Sequence, residues 1–397
     1  MKDVVIVANF VSGLDGKDNN RFSYLAEKLS SDCSVELISS DFYHTKKCKR
    51  EGDYSFFSYK VTLLHEPGYP KNVCFQRFFS HRTFGKNVAK YLKSRKKPDI
   101  IYCAVPSLDA AKAASEYAHK NKIRLIIDIQ DLWPEAFKMV FRLPVISDII
   151  FAPMVHTANR IYSLADDIIA VSDTYCEHAA KVNKKCNNTH TVFLGTELSD
   201  FDDNVKRNKD KYIKPADELW LAYCGTLGTS YDLTRVFDAL DIISKNGHTP
   251  PKFIIMGDGP RKEEFESYAK LKNINAVFTG MIPYDEMCAY LSACDIAVNP
   301  IVGSSNASII NKHADYAAGG LPVLNTQKSE EYKALVEKYN MGFNTASGDA
   351  RDLADKLLRL MYDCELRKNM GRGARKCAEE KFDREKSYSE IYELIKK

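Results

Sequence analysis

Short apolar runs alternate with helix-length amphipathic stretches along almost the whole of this 397-residue chain. Strand-sized runs separated by helices are the pattern of parallel α/β domains. In the first half the pattern predicts strands over residues 4–8, 35–39, 56–61, 100–103, 125–129, 168–171 and 191–193. Helices are predicted over residues 21–29, 83–94, 108–121 and 149–164. The alternation pauses at residues 199–218, which are polar and lack apolar periodicity, so a domain boundary is placed there. It resumes with strands over residues 219–223, 253–256, 276–279, 296–299 and 321–324. The helices of this half are predicted over residues 233–244, 261–270, 284–293, 308–318 and 330–338, and the charged C-terminal stretch is also helical. The fold class is therefore α/β, with two doubly wound halves and a ligand expected in the cleft between them.

Length and composition agree with that division. A chain of this length exceeds one ordinary core. With 45% apolar and 28% charged residues it reads as soluble and globular. No run approaches the ~20 apolar residues of a membrane span. The first ten residues, MKDVVIVANF, read as a first strand and not as a signal peptide. Eleven cysteines without a CxxC pair look like reduced residues of a cytoplasmic protein. The histidines show no metal spacing, and GxSxG, P-loop and HExxH motifs are lacking, so no metal site or serine hydrolase is expected.

Charge changes the picture in one place. Residues 42–100 carry fourteen Lys or Arg against four Asp or Glu, interleaved with aromatics from Phe42 to Phe84. Cations and aromatic rings together suit an anionic membrane surface. No nucleic-acid module accompanies them, so nucleic acid is not an expected partner.

The candidate chemistry sits in the loops that follow strands. PIVGSSNASIINKHADYAAGGLPVL, from Pro300 to Leu324, reads as loop, helix and strand. The N–H groups of Ser308, Ile309, Ile310 and Asn311 would open a helix, where partial positive charge favours phosphate. Lys312 adds a cation, and Asp315, one turn on, can accept bonds from ribose hydroxyls; the plain alternative is a solvent-facing helix with charged residues. Gly13 and Gly16, in the loop after the first strand, let backbone approach a ligand, and Arg21 could reach a diphosphate. Asp131, in DIQDLWPE, extends a strand and is placed at its mouth beside Trp133; otherwise it caps a helix. Thr226 and Gly228 in CGTLG, and Gly259 in GDGP, end two strands of the second half and would line a nucleotide-sized crevice.

Taken in order, the first glycine loop, DLWPE, VFLGTELSDF, YCGTLG, GDGP and NKHADYAAGGLPV resemble the retaining GT-B glycosyltransferases of family 4. The likeness is to the branch that builds bacterial capsule and O-antigen polysaccharide. It implies two Rossmann-like domains: residues 1–199 on the acceptor side, residues 200–378 binding a nucleotide sugar, and a C-terminal helix over 379–397 crossing back. It further implies transfer from a nucleoside diphosphate sugar, UDP-sugar as co-substrate with no other cofactor and no metal, to a lipid-linked or oligosaccharide acceptor. The enzyme would lie peripherally on the inner face of the cell membrane, held through residues 42–100. Asp131 and Lys312 would be catalytic. The family's two glutamates fall on Ala307 and Asp315, and its two diphosphate cations on Thr226 and Tyr231, which leaves Lys312 as the substitute, aided by Arg21 or Arg235. The rivals are a sugar-nucleotide epimerase of the same fold and a non-catalytic glycosyltransferase-like partner.

Overall fold

The structure, a computed structural model, describes the chain except residues 13, 15–19, 73, 139–143, 187 and 303–308. Two compact units divide it: Met1–Phe193 with Tyr388–Lys397, and Leu194–Ser387.

The strands of unit 1 are β1 (Lys2–Val7), β2 (Cys33–Ser40), the short antiparallel pair β3 (Phe42–Tyr43) and β4 (Cys48–Lys49), β5 (Lys60–Leu64), β6 (Ile100–Val105), β7 (Arg124–Ile129), β8 (Asp167–Ala170) and β9 (Thr189–Thr191). Seven of them form one parallel sheet in the order β5-β2-β1-β6-β7-β8-β9. Its helices are α1 (Arg21–Leu29), α2 (Phe75–Ser94), α3 (Leu108–Asn121), α4 (Glu135–Lys138), α5 (Pro144–Leu164) and α6 (Asp173–Val182). The central strands are buried on both faces, which is why they read as unbroken apolar runs and not as alternating ones.

Unit 2 opens with α7 (Leu198–Asn208) and continues β10 (Trp220–Cys224), α8 (Leu233–Lys245), β11 (Lys252–Met256), α9 (Lys262–Leu271), β12 (Ala276–Gly280), α10 (Tyr284–Ser292), β13 (Ile296–Asn299), α11 (Asn311–Ala318), β14 (Val323–Asn325), α12 (Glu330–Lys338) and β15 (Gly342–Asn344). Then come α13 (Ala350–Tyr362), α14 (Cys364–Cys377) and the short α15 (Arg384–Ser387). Its six strands form a second parallel sheet, β12-β11-β10-β13-β14-β15. The last helix, α16 (Ser389–Lys396), belongs to unit 1, where Ile391, Leu394 and Ile395 join the core and Arg124 Nη1 donates to the Leu394 carbonyl at 2.9 Å.

Some expectations shift. The polar stretch after residue 199 is largely helical: α7 buries Leu198, Phe201, Asn204 and Asn208, so two of its four inward positions are asparagines that hide the period. Helix α2 starts eight residues before the predicted position, because Phe75, Phe78 and Phe79 point outward (93%, 40% and 67% exposed) and spoil the apolar face that marks a helix. The strand predicted at residues 56–61 lies at Lys60–Leu64, since Phe56 is exposed and Phe57 stacks on Tyr59 at 4.8 Å.

Arg21 has a structural task in place of the diphosphate contact expected of it. Asn20 caps α1 by accepting from the Ser23 N–H at 2.9 Å, which turns Arg21 inward. Its Nε and Nη2 donate to both oxygens of buried Asp128 at 2.7 and 3.1 Å, and Nη1 donates to the Val192 carbonyl at 3.0 Å. Tyr102 donates to the same carboxylate at 2.7 Å, and the Tyr388 ring lies 4.7 Å under the guanidinium. A buried carboxylate stripped of such a partner keeps its desolvation penalty uncompensated. Arg21→Met should therefore lower stability in urea denaturation by about 3–5 kcal/mol. A loss below about 1 kcal/mol would show that water or a rearranged neighbour can replace the guanidinium.

Candidate functional site

The strand order of unit 2 reverses between β10 and β13, and a doubly wound sheet opens its crevice at the carboxyl ends of the strands where this happens. A pocket of about 430 Å³ lies there, lined by residues that follow β10, β11, β12 and β13, among them Thr226, Asp258, Ile282 and Lys312. Backbone bonds lace its rim: the Gly225 N–H donates to Met256 O at 2.9 Å, Leu227 to Asp258 O at 2.8 Å and Gly257 to Gly280 O at 2.9 Å. Gly257, at φ +155°, admits no side chain, because a Cβ would stand 1.9 Å from the Gly225 carbonyl oxygen. A Cβ on Gly259 would likewise stand 2.5 Å from the Leu227 carbonyl oxygen, so this glycine serves loop packing and does not line the pocket. Gly228 does not line it either; its carbonyl accepts from the Tyr231 N–H at 3.2 Å.

Lys312 dominates the site. It projects from the first turn of α11 and is 7% exposed, with Nζ 4.1 Å from the Tyr223 ring centre and 3.7 Å from that of Tyr231. Nζ has no hydrogen-bond partner among the described residues. Burial drives its pKa down to about 7, against the weaker pull of Cys224 and Asp315. Two π faces compensate part of the lost hydration without neutralising the charge.

Asp315 lies one turn on and also lines the pocket. It accepts from the Tyr284 hydroxyl at 3.1 Å, and that hydroxyl meets Thr196 Oγ1 at 2.5 Å. Burial raises its pKa to about 6, with Tyr284, Arg384 and Lys312 pulling the other way. The start of α11 is held by His313, whose Nδ1 accepts from the Ile310 N–H at 3.2 Å and whose ring stacks on Tyr332 at 3.6 Å. Ile310 and Asn311 line the pocket, and Ile309 is buried beneath. Met256, Met281 and Met287 supply soft, adaptable walls.

The structure thus brings together Thr226, Ile310, Asn311, Lys312 and Asp315 around one pocket. Gly13, Gly16 and Ser308 lie outside the described residues. Asp131 belongs to unit 1, at the end of β7, where it accepts from Trp133 Nε1 at 3.3 Å and burial raises its pKa to about 6. Tyr223 and Tyr284 escaped the sequence reading, and Tyr231 was named there only as the position of a family cation, not as a partner of Lys312. A strand tyrosine such as Tyr223 reads as core, and only the meeting of α11 with β10 and the loop after it turns Tyr223 and Tyr231 toward a lysine.

Residues 218–363, which include every residue lining this pocket, match the family described as "Glycosyl transferases group 1". Among curated proteins, the sulfoquinovosyl transferase SQD2 of Arabidopsis thaliana is 26% identical over 163 residues, 41% of this chain and 30% of the plant protein's length. HepE of Anabaena, solved with UDP-glucose, superposes with a TM-score of 0.71 at 14% identity, covering 100% of both chains. The sucrose-phosphate synthase of Thermosynechococcus elongatus gives a TM-score of 0.73 at 15% identity, covering 100% of this chain and 98% of the other. The fold is GT-B: two Rossmann-like units built on parallel sheets.

Because the folded protein disfavours the charged form of Lys312, the cost is fully present below about pH 7 and fades as pH rises toward the ordinary lysine value of 10.5. Lys312→Met should accordingly raise the Tm of the ligand-free protein at neutral pH, at about 2–4 °C per kcal/mol. The gain should shrink as calorimetry is repeated toward pH 10. A lowered Tm at neutral pH would mean that the lysine holds the two tyrosines together and is not a strained cation.

Proposed function

We propose that this chain is a retaining, metal-independent glycosyltransferase that moves a hexosyl or N-acetylhexosaminyl group from a UDP-sugar to a lipid-linked or oligosaccharide acceptor in surface polysaccharide assembly. The observation that carries the reading is Lys312: a cation whose Nζ has no hydrogen-bond partner among the described residues, at the start of a helix, at the switch point of a sheet, inside the segment that matches the group 1 glycosyl transferases. Such a place suits a diphosphate. The solved relative of like fold that holds UDP-glucose supports the choice of nucleotide.

The chemistry follows from charge. As the bond from the sugar to the diphosphate breaks, negative charge grows on the leaving oxygen, and preorganised N–H groups and a cation there stabilise the transition state. Lys312 and the Asn311 backbone N–H would supply them, the Ile310 N–H being taken by His313 Nδ1. Burial lowers the pKa of Lys312, and an arriving diphosphate favours its protonated form. Asp315, held by Tyr284, would accept from the ribose. A donor phosphate oxygen takes the acceptor's proton on the face the sugar leaves, so no protein nucleophile is required. Asp131 would orient the acceptor hydroxyl.

UDP should stabilise the full-length protein, by about 2.7 kcal/mol at a hundred times its Kd. Lys312→Ala should weaken both UDP and inorganic diphosphate, whereas Asp315→Asn should weaken UDP and leave diphosphate nearly unchanged. Titration calorimetry with the two ligands separates these outcomes. Small, equal effects of both substitutions on both ligands would sink the assignment.

Membrane docking through residues 42–100 belongs to the same reading, and within that segment helix α2 is the best suited part. Among the described residues no helix is long and apolar enough to cross a membrane. Of the cations near residue 50, Lys49 pairs with Asp41 at 2.8 Å, Lys47 donates to Asn72 at 2.5 Å and Arg50 donates to the Ser40 carbonyl at 3.1 Å. Helix α2, in contrast, exposes Phe75, Phe79, Arg82, Lys86 and Lys90, spaced three or four residues apart along one face. A helix with exposed aromatics at one end and cations beyond is suited to an anionic bilayer surface. Exchanging Arg82, Lys86 and Lys90 for glutamine should weaken binding to phosphatidylglycerol vesicles in flotation assays, as should added salt. Binding that responds to neither would rule out electrostatic docking through α2.

A further inference from the structure

Unit 1 repeats the architecture that frames the pocket of unit 2: its strand order reverses between β1 and β6. Phe10 follows β1 and Asp131 follows β7, so both stand on the carboxyl edge beside that reversal. Between the rings gathered there lies Arg77. Its guanidinium carbon is 4.8 Å from the Trp133 ring centre, 5.5 Å from Tyr69, 5.7 Å from Phe10 and 5.9 Å from Phe137. Nη1 donates to the Asn72 carbonyl at 2.8 Å, and Nε is buried with no partner among the described residues.

What sets Arg77 apart is the missing anion. Arg21, Arg95 and Arg124 each meet a carboxylate, on Asp128, Asp3 and Asp167, at 2.7, 2.9 and 2.8 Å. Among the described residues no carboxylate lies within ion-pair distance of Arg77. Glu66 is taken up by Ser80, which donates to it at 2.8 Å. A second cation adds to the imbalance: Lys47 Nζ stands 4.7 Å from the Tyr69 ring that Arg77 also faces. His44 and His81, held neutral by burial, bring no compensating charge. Asp131 and Glu66 attract Arg77 only from beyond ion-pair distance, and two cations sharing one aromatic cluster without a paired anion is a costly arrangement unless something anionic completes it. Phe10, His44, Arg77 and Asp131 are all partly exposed, so the cluster is open to a ligand.

We infer that this edge of unit 1 is a subsite for an oxyanion, phosphate or carboxylate, with Arg77 as its principal cation and Lys47 as the second. Naming the carrier of that anion rests on the function proposed above: it is the acceptor, either through the phosphate of a lipid-linked saccharide or through an acidic sugar. Phe10 would face the sugar ring, and Asp131, close to the anion site but negative itself, would meet a hydroxyl and not the anion. Arginine suits the task because its planar donors match an oxyanion in pairs.

The chain has two tryptophans, so a Trp220→Phe background leaves Trp133 as a reporter inside the cluster. Inorganic phosphate, glucuronate and vesicles carrying a polyprenyl phosphate are titrated into the full-length protein, with chloride at equal ionic strength as the reference. At least one probe should change Trp133 emission beyond chloride, and which one responds identifies phosphate, acidic sugar or lipid phosphate as the source. Arg77→Gln should weaken that response at least tenfold, Lys47→Gln less, and Asp131→Asn should leave it intact or strengthen it. Absence of any response beyond chloride, or a response unchanged in both cation variants, overturns the subsite. UDP binding without an anion response sinks this inference alone. An anion response without UDP binding supports the subsite and sinks the transferase reading.

Discussion

A doubly wound parallel sheet can part its loops at one place only, where the crossovers change direction. In unit 2 that place is the end of β10 beside β13, and the chemistry of the unit depends on keeping it open. The rim is held by main-chain bonds at Gly225, Leu227 and Gly257. That explains why the glycines of GDGP serve architecture: they let one loop lie against the next. The ligand-facing groups come instead from α11.

Three cations of the molecule, Arg21, Lys312 and Arg77, divide by partner. Arg21 meets both oxygens of Asp128, the Val192 carbonyl and the Tyr388 ring, and it ties α1, β7 and the strand-end carbonyl of Val192 into one core. Lys312 and Arg77 have aromatic neighbours and, among the described residues, no carboxylate in ion-pair contact. A paired buried ion contributes to a fixed structure, and removing either half is costly. An unpaired one lowers stability in the empty protein and is sensible only where an anion arrives. Each unit holds one of the unpaired kind at the carboxyl edge of its sheet.

Much of this was legible in the sequence. Helices α1, α3 and α12 lie where periodicity places them, because each has one apolar face and clear ends. The elements that escaped, α7 and the first turns of α2, bury asparagines or expose phenylalanines, and period alone cannot see either exception. Of the site, Lys312 and Asp315 could be read from their place behind a strand. Arg21 could not be judged, since an arginine after a glycine loop looks the same whether it faces a phosphate or a buried Asp128 more than a hundred residues on. The tyrosines around Lys312 were hidden for the same reason: their role lies in a contact between β10, the loop after it and α11, not in any local pattern.

That contact has a chemical consequence that a carboxylate in the same place would not have. A carboxylate beside Lys312 would keep it charged at every ordinary pH, but it would also compete with a diphosphate for the ammonium and repel the approaching anion. Aromatic faces hold the ammonium by its charge without cancelling it. Asp315 stays close enough to favour the charged lysine, yet it is engaged by Tyr284 and does not form an ion pair with it. The full attraction of the cation is therefore left for whatever enters the pocket, in a setting dry enough for it to count.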